Sequence, residues 1–277
     1  MTKTLKAGDF SLDLTHPLVM GILNVTPDSF SDGGKFTSVD RALMHVREMM
    51  SHGVDIIDIG GESTRPGAAP VNVSEEQDRV LPVIDAIVSE FSVPVSIDTS
   101  KAEVMTAAVD AGAVMINDVR ALTEQGALAA AALCDVPVCL MHMQGQPENM
   151  QNAPEYEDVI TDVADYLRDR MKDALAAGIK AGQIIIDPGF GFGKSAQHNF
   201  TLLKHLSSLT ELDCPLLVGL SRKSMIDAII NKPAEQRVSA SIALALLAAE
   251  RGANILRVHD VEATVDALAM LKALQQQ

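Results

Sequence analysis

Eight short apolar runs punctuate this chain, at residues 19–23, 55–59, 95–97, 114–116, 138–141, 184–186, 216–218 and 255–258. At or just past their ends stand Asn24, Gly60, Asp98, Asn117, His142, Asp187, Ser221 and His259. Between the runs the apolar spacing turns helical. Residues 38–51 carry Val39, Ala42, Leu43, Val46 and Met50 at that spacing. Ser74-Glu-Glu-Gln77 reads as a capping box with Ser74 as N-cap, and Ser100-Lys-Ala-Glu103 as a second before a helix at 104–111. Further helices are expected near 126–134, 159–177, 199–209, 237–251 and 261–274. Several stop at glycine, as at Gly53, Gly112, Gly178 and Gly252.

Strand and helix therefore alternate eight times. Apolar strands in that alternation predict an α/β fold with a parallel sheet and helices outside. Eight repeats favour a closed (β/α)8 TIM barrel, a single domain over 1–277, above an open doubly wound sheet, which needs no particular count. The alternating FSLDL at 10–14 precedes the first barrel strand and is expected to form a short strand or hairpin over the barrel's N-terminal end. A barrel keeps its active site where the strands end, so the polar run ends are already a set of candidate site residues.

Three loops after those ends are polar and rich in glycine. Residues 24–34 and 60–67 are longer than the roughly 2–6 residues that a βα connection needs, which points to functional loops. The third, DPGFGFGK at 187–194, resembles a phosphate loop only at its end, because Pro188 stands where that motif's first glycine must be. Of seven Phe, four (Phe30, Phe36, Phe190, Phe192) fall in these loops or, for Phe36, two residues past the first. Exposed rings there suit a flat aromatic partner; rings that pin the loops to the barrel are the alternative.

Cations gather at the end of the chain, in Ser221-Arg-Lys223 and Arg257-Val-His259. Arginine presents a bidentate fork to phosphate oxygens, and the last two loops of a barrel are a common phosphate site. An internal salt bridge is the competing role for Arg257. Asp98, Asn117, Asp187 and Lys223 together offer carboxylates, an amide and an ammonium. Buried carboxylates need donors, and the N–H edge of an aminopyrimidine-type ring supplies two side by side. No Ser-His or Cys-His pairing is evident in the sequence, and there is no HExxH pattern. His45, His52 and His205 read as surface helix residues, and His142 as structure.

Net charge is −15, which argues against nucleic acid and anionic membrane surfaces. The first fourteen residues hold no apolar segment of a secretory signal, and no run approaches the ~18 residues of a membrane span. Cys134, Cys139 and Cys214 have no CxxC spacing and read as reduced thiols, giving a cytoplasmic expectation.

The sequence resembles the dihydropteroate synthase family along essentially its whole length. The matching motifs are GILNVTPDSFSDGG at 21–34, DIGGESTRPG at 58–67, DPGFGFG at 187–193, SRK at 221–223 and RVH at 257–259. The resemblance implies transfer of a 7,8-dihydropterin-6-ylmethyl group from its diphosphate to 4-aminobenzoate, releasing pyrophosphate, with Mg²⁺ assisting. It implies that Asp98, Asn117, Asp187 and Lys223 hold the pterin and that Asn24 ligates Mg²⁺. It assigns Arg257 and His259 to the phosphates. Thr64, Arg65, Pro66, Phe190 and Ser221 would shape the aminobenzoate site, which sulfonamides also occupy. Asp98, Lys223 and Arg257 are the expected catalytic residues.

The rivals are another pterin-binding barrel such as a methyltetrahydrofolate methyltransferase, a Schiff-base aldolase using Lys223, and a catalytically silent pterin-binding protein. The segment RVSASIALALLAAER at 237–251 is small and apolar almost all round, so a homodimer contact is expected there.

Overall fold

The computed structural model describes residues 4–26, 38–63, 70–145, 150 and 154–276. Eight strands form one parallel sheet: β3 (Leu18–Asn24), β4 (Ile56–Gly60), β5 (Val95–Asp98), β6 (Met115–Asp118), β7 (Val138–Met141), β8 (Ile184–Asp187), β9 (Leu217–Val218) and β10 (Ile255–Val258). Their order is β8-β7-β6-β5-β4-β3-β10-β9. A parallel bridge from Ile186 to Leu216 joins the two edges and closes the barrel. Among the described residues, no helix is long and apolar enough to cross a membrane.

The strands are buried on both faces, and alternation sorts their side chains into two environments. Val19, Leu23, Ile57, Ile59, Val95, Ile97, Ile116, Val138, Leu140, Ile184, Ile186 and Leu256 share a cluster with the helices outside the barrel. Met20, Ile56, Met115, Cys139, Ile185, Leu217 and Ile255 share a second cluster inside it. That inner cluster also contains Leu5, Ala7, Leu12 and Leu14. Those residues come from a hairpin of β1 (Thr4–Ala7) and β2 (Phe10–Asp13), paired antiparallel from Thr4↔Asp13 to Ala7↔Phe10. The hairpin therefore plugs the N-terminal end of the barrel, as the FSLDL stretch suggested.

The helices around the sheet are α1 (Ser38–Ser51), α2 (Val73–Glu90), α3 (Ala102–Asp110), α4 (Ala127–Cys134), α5 (Val159–Ala176), α6 (Ala196–Lys204), α7 (Ser224–Ile230), α8 (Val238–Glu250) and α9 (Val261–Gln275). Several starts differ from expectation. Asn72, not Ser74, caps α2, accepting from the Glu75 N–H at 2.9 Å. The Ser100 hydroxyl donates to Asp118 instead of capping α3. The helix expected at 199–209 is α6, capped by Ser195, followed by a 3₁₀ segment at Leu206–Leu212. Helix α7, seven residues long, was not foreseen; it starts immediately after Lys223.

Candidate active site

Above the apolar plug the inward positions turn polar. Register places Asn24 beside Gly60, Gly60 beside Asp98, and Asp98 beside Asn117. Ile185 and Asp187 on β8 follow the same alternation, as do Ile255 and Arg257 on β10. Asn117 points inward, whereas its neighbour Asp118 accepts from the N–H groups of Arg120 and Leu122 and pins the following loop.

The centre of this layer is Asp58, fully buried in the middle of β4. Its Oδ2 accepts from Arg257 Nε at 2.6 Å and from Asn117 Nδ2 at 3.1 Å. Arg257 Nη2 donates to Asp98 Oδ2 at 2.7 Å. One guanidinium thus bridges two carboxylates, so the internal salt bridge weighed for Arg257 exists. Burial opposes the guanidinium charge, but Asp58 and Asp98 outweigh it and hold Arg257 above its ordinary value. Asp58 was missed as a site residue, because it lies inside an apolar run and not at its end. The signal was available: one carboxylate within IIDIG, at the same parity as Gly60.

Asp58 also decides what Asn117 can do. With Nδ2 committed to Asp58, the carbonyl Oδ1 of Asn117 is left to accept from a ligand. Asp98 keeps Oδ1 open in the same way. Burial pushes the Asp98 carboxyl up to about 7, against the pull of Arg257. On β8, Asp187 Oδ1 accepts the Gly189 N–H at 2.7 Å. Burial pushes its carboxyl up to about 6, against that hydrogen bond and the Lys223 charge. Lys223 lies with Nζ 4.2 Å from the centre of the Phe192 ring. Two carboxylates and an amide oxygen therefore face the mouth as acceptors, with an ammonium beside them.

A second group stands at the end of β10. Ser221 Oγ and His259 Nδ1 are 3.0 Å apart, and the His259 backbone N–H donates to the same hydroxyl at 3.2 Å. Burial, then Arg257 and Arg222, push the His259 imidazole down to about 4, so it is neutral near pH 7. With Nδ1 accepting from Ser221, Nε2 carries the proton and can donate to an anion. Arg222 is held by Asp260 through Nε at 3.1 Å and Nη2 at 2.5 Å.

Gly60, at the end of β4, lies between Asn24 at the end of β3 and Asp98 at the end of β5. A Cβ there would lie 3.7 Å from Asn24 Oδ1 and 3.8 Å from Asp98 Oδ2. Among the described residues no group of three or more His, Cys, Asp or Glu could hold a metal ion. A lone amide oxygen fits Mg²⁺ carried in on phosphates, with phosphate and water completing its shell.

For Phe190 and Phe192 the structure favours the second of the two roles weighed. Phe190 and Phe192 are not exposed: 1% and 8% of their surface is accessible. Phe190 packs into the outer core and Phe192 against Val119, Met141 and Met150, so both pin their loop. Thr64, Arg65 and Pro66, with Phe30 and Phe36, lie outside the described residues. Ser221, assigned with them to the second-substrate site, stands here against His259.

The family described as pterin binding enzyme matches residues 20–259. The dihydropteroate synthase of Escherichia coli strain K12 is 53% identical over 263 residues, covering 95% of this chain and 93% of that one. The solved Yersinia pestis dihydropteroate synthase in a sulfonamide complex superposes with a TM-score of 0.95 at 54% identity, over 99% of this chain and all of that one. The Xanthomonas albilineans enzyme in complex with 7,8-dihydropteroate gives a TM-score of 0.91 at 50% identity, over 99% of each chain.

Proposed function

The chain belongs to the dihydropteroate synthases, and from that premise we propose how its barrel mouth divides the work of the reaction. It is a transferase: the dihydropterin-6-ylmethyl group moves from its diphosphate to the amine of 4-aminobenzoate, and pyrophosphate leaves. The observation that carries the residue roles is the interlocked inward set of Asp58, Asp98, Asn117, Asp187 and Arg257. Its open acceptors match a ring edge that presents N–H groups.

In this reading Asp187, Asn117 and Asp98 accept from the pterin, and Lys223 donates to a ring carbonyl or nitrogen. Asp58 holds Asn117 and Arg257 in orientation. The aromatic amine needs no strong base. Departure of the diphosphate first, in an SN1-like step, leaves a delocalised cation on the dihydropterin methylene, and the adjacent Asp98 carboxylate stabilises it by preorganised charge. Arg257 and the Nε2–H of His259 receive the departing diphosphate. Asn24 would hold Mg²⁺ carried on the phosphates, and the ion would supply charge neutralisation for that leaving group. Thr64, Arg65, Pro66 and Ser221 complete the 4-aminobenzoate site, in the loops after β4 and β9, and the buried Phe190 braces it by pinning the loop after β8.

Calorimetry tests the order. Binding of 4-aminobenzoate is expected only with pterin and pyrophosphate present, and tight binding to the free enzyme would refute an SN1-like sequence. We also propose a homodimer through α8, whose Ser239, Ala243 and exposed Leu247 (37% accessible) recur every four residues on one face. A monomer by light scattering at micromolar concentration would sink it. Three free thiols support a cytoplasmic location.

A further inference from the structure

Lys194 is almost completely buried, 2% accessible, beneath the loop that follows β8. The reaction as described gives it no role. It belongs to none of the charge pairs of the barrel interior. Its ammonium donates to His142 Nδ1 at 2.8 Å, Gly189 O at 2.9 Å and Phe192 O at 3.1 Å, with His142 O at 3.4 Å. Burial pushes Lys194 down to about 7, against the pull of Asp187, so it carries its charge on the acid side of neutrality; in that form three protons meet three close acceptors, with no carboxylate among them.

The acceptors come from both sides of one seam. His142 follows β7, and Gly189 and Phe192 belong to the loop after β8. The seam is so close that only glycine fits: a Cβ on Gly189 (φ +68°) would lie 1.9 Å from His142 O, and one on Gly193 (φ +61°) 2.3 Å from Gln144 O. Tyr156 donates to Gly193 O at 2.6 Å, and Asn199 Oδ1 accepts from the Gly191 N–H at 2.8 Å. Tyr166 packs edge-on against the His142 ring at 4.9 Å. Burial, then the Lys194 charge, hold His142 down at about 3, so its Nδ1 is a permanent acceptor near neutral pH.

The same short loop carries two groups that face the mouth. Gly189, whose carbonyl Lys194 holds, donates its N–H to Asp187 Oδ1. Phe192, whose carbonyl Lys194 also holds, supplies the ring under Lys223.

We propose that Lys194, with His142 as its acceptor, is a positioning residue for pterin recognition: it sets the 189–192 loop and thereby aims Asp187 and Lys223. The proposal rests on the reading above that those two residues hold the pterin. Lys194 acts on Asp187 electrostatically as well. The titratable groups around the lysine are Asp187, Lys223 and His142, with Tyr156 and Tyr166 packed on the His142 ring and His198 on Tyr156. Asp187 is the one anion among them, and the Lys194 charge favours its ionised form.

The test is calorimetric titration of Lys194→Met and Lys194→Gln with 6-hydroxymethylpterin and, separately, inorganic pyrophosphate with Mg²⁺, from pH 6 to 9. Pterin affinity of Lys194→Met is expected to fall about tenfold to a hundredfold, the loss of hydrogen bonds to a charged group. Its acid-side decline should move up by about half a pH unit or more as Asp187 loses a nearby cation. Lys194→Gln, which keeps two donors, should recover part of the affinity but not the pH shift. Pyrophosphate affinity should stay unchanged in both. Unchanged pterin affinity and pH profile would overturn the proposal, and so would parallel loss of both ligands or failure of both variants to fold. Asp187→Asn separates the two claims: if it leaves pterin affinity intact, the underlying site reading fails first.

Discussion

On β8, Ile185 and Asp187 point into the same barrel two residues apart, yet they live in opposite chemistry. Ile185 sits in the apolar plug with Met20, Ile56, Met115 and the hairpin residues Leu5 and Leu12. Asp187 stands one layer up, where burial pushes its carboxyl to about 6. The same change occurs on β10 between Ile255 and Arg257, and on β4 between Ile56 and Asp58. The polar layer also holds costs that the plug lacks. Among the described residues, Asp58 Oδ1 and Ser96 Oγ are buried with no partner, each worth about 1–3 kcal/mol of lost hydrogen bonding. The plug supplies stability, and the mouth holds groups in states that a folded protein alone does not favour. That division is what a site prepared for a ligand looks like.

The comparison can be broken most severely at Arg257. Arg257→Met removes the shared partner of Asp58 and Asp98. Leaving buried charge unpaired costs about 3–5 kcal/mol, so thermal melting should drop sharply and turnover should be lost. Next in size is the plug. Ile185→Ala is expected to cost about 2–5 kcal/mol by denaturant unfolding, with KM for both substrates unchanged. A raised KM there would show that the two ends are not separable.

A pH series sharpens the contrast. The folded-state values of Asp98 (about 7) and Asp187 (about 6) lie above the ordinary 3.8. A raised acid contributes stability that is fully present below its unfolded value and is lost as pH rises through the folded one. The unliganded protein should therefore lose stability relative to Asp98→Asn from about pH 4 to about pH 7, read as a gap in melting temperature that widens over that range and is flat above it. Pterin affinity should run the other way, rising with pH through the same window as the acceptors ionise. The smallest effect is expected far from the mouth. Asn72→Ala removes the α2 cap and should cost about 1 kcal/mol with activity intact.

Much of this barrel is legible in the sequence because its strands are buried on both faces, so each reads as an unbroken apolar run. The run ends name Asp98, Asn117 and Asp187 directly, since strand ends and mouth coincide in this fold. Asp58 escapes because its polarity lies mid-strand and its partners come from β6 and β10, far away in sequence. Half of the plugging hairpin is visible in FSLDL, whereas β1 was read only for targeting signals. Helix α7 is too short to show a periodicity between its Arg-Lys start and the Asn-Lys-Pro that follows it. The buried state of Phe190 and Phe192 belongs to a loop with left-handed backbone at Gly189, Gly191 and Gly193, a conformation that no hydrophobic pattern announces. Lys194 resembles a failed phosphate loop until His142 is brought beside it.

The most direct measurement is on Asp187→Asn, reading pterin binding by calorimetry and melting temperature on the same sample. The account predicts a loss of pterin affinity of about a hundredfold, with melting temperature unchanged or raised because a costly buried carboxylate is gone. A variant that melts far lower while still binding pterin would contradict the division between the two ends of the barrel.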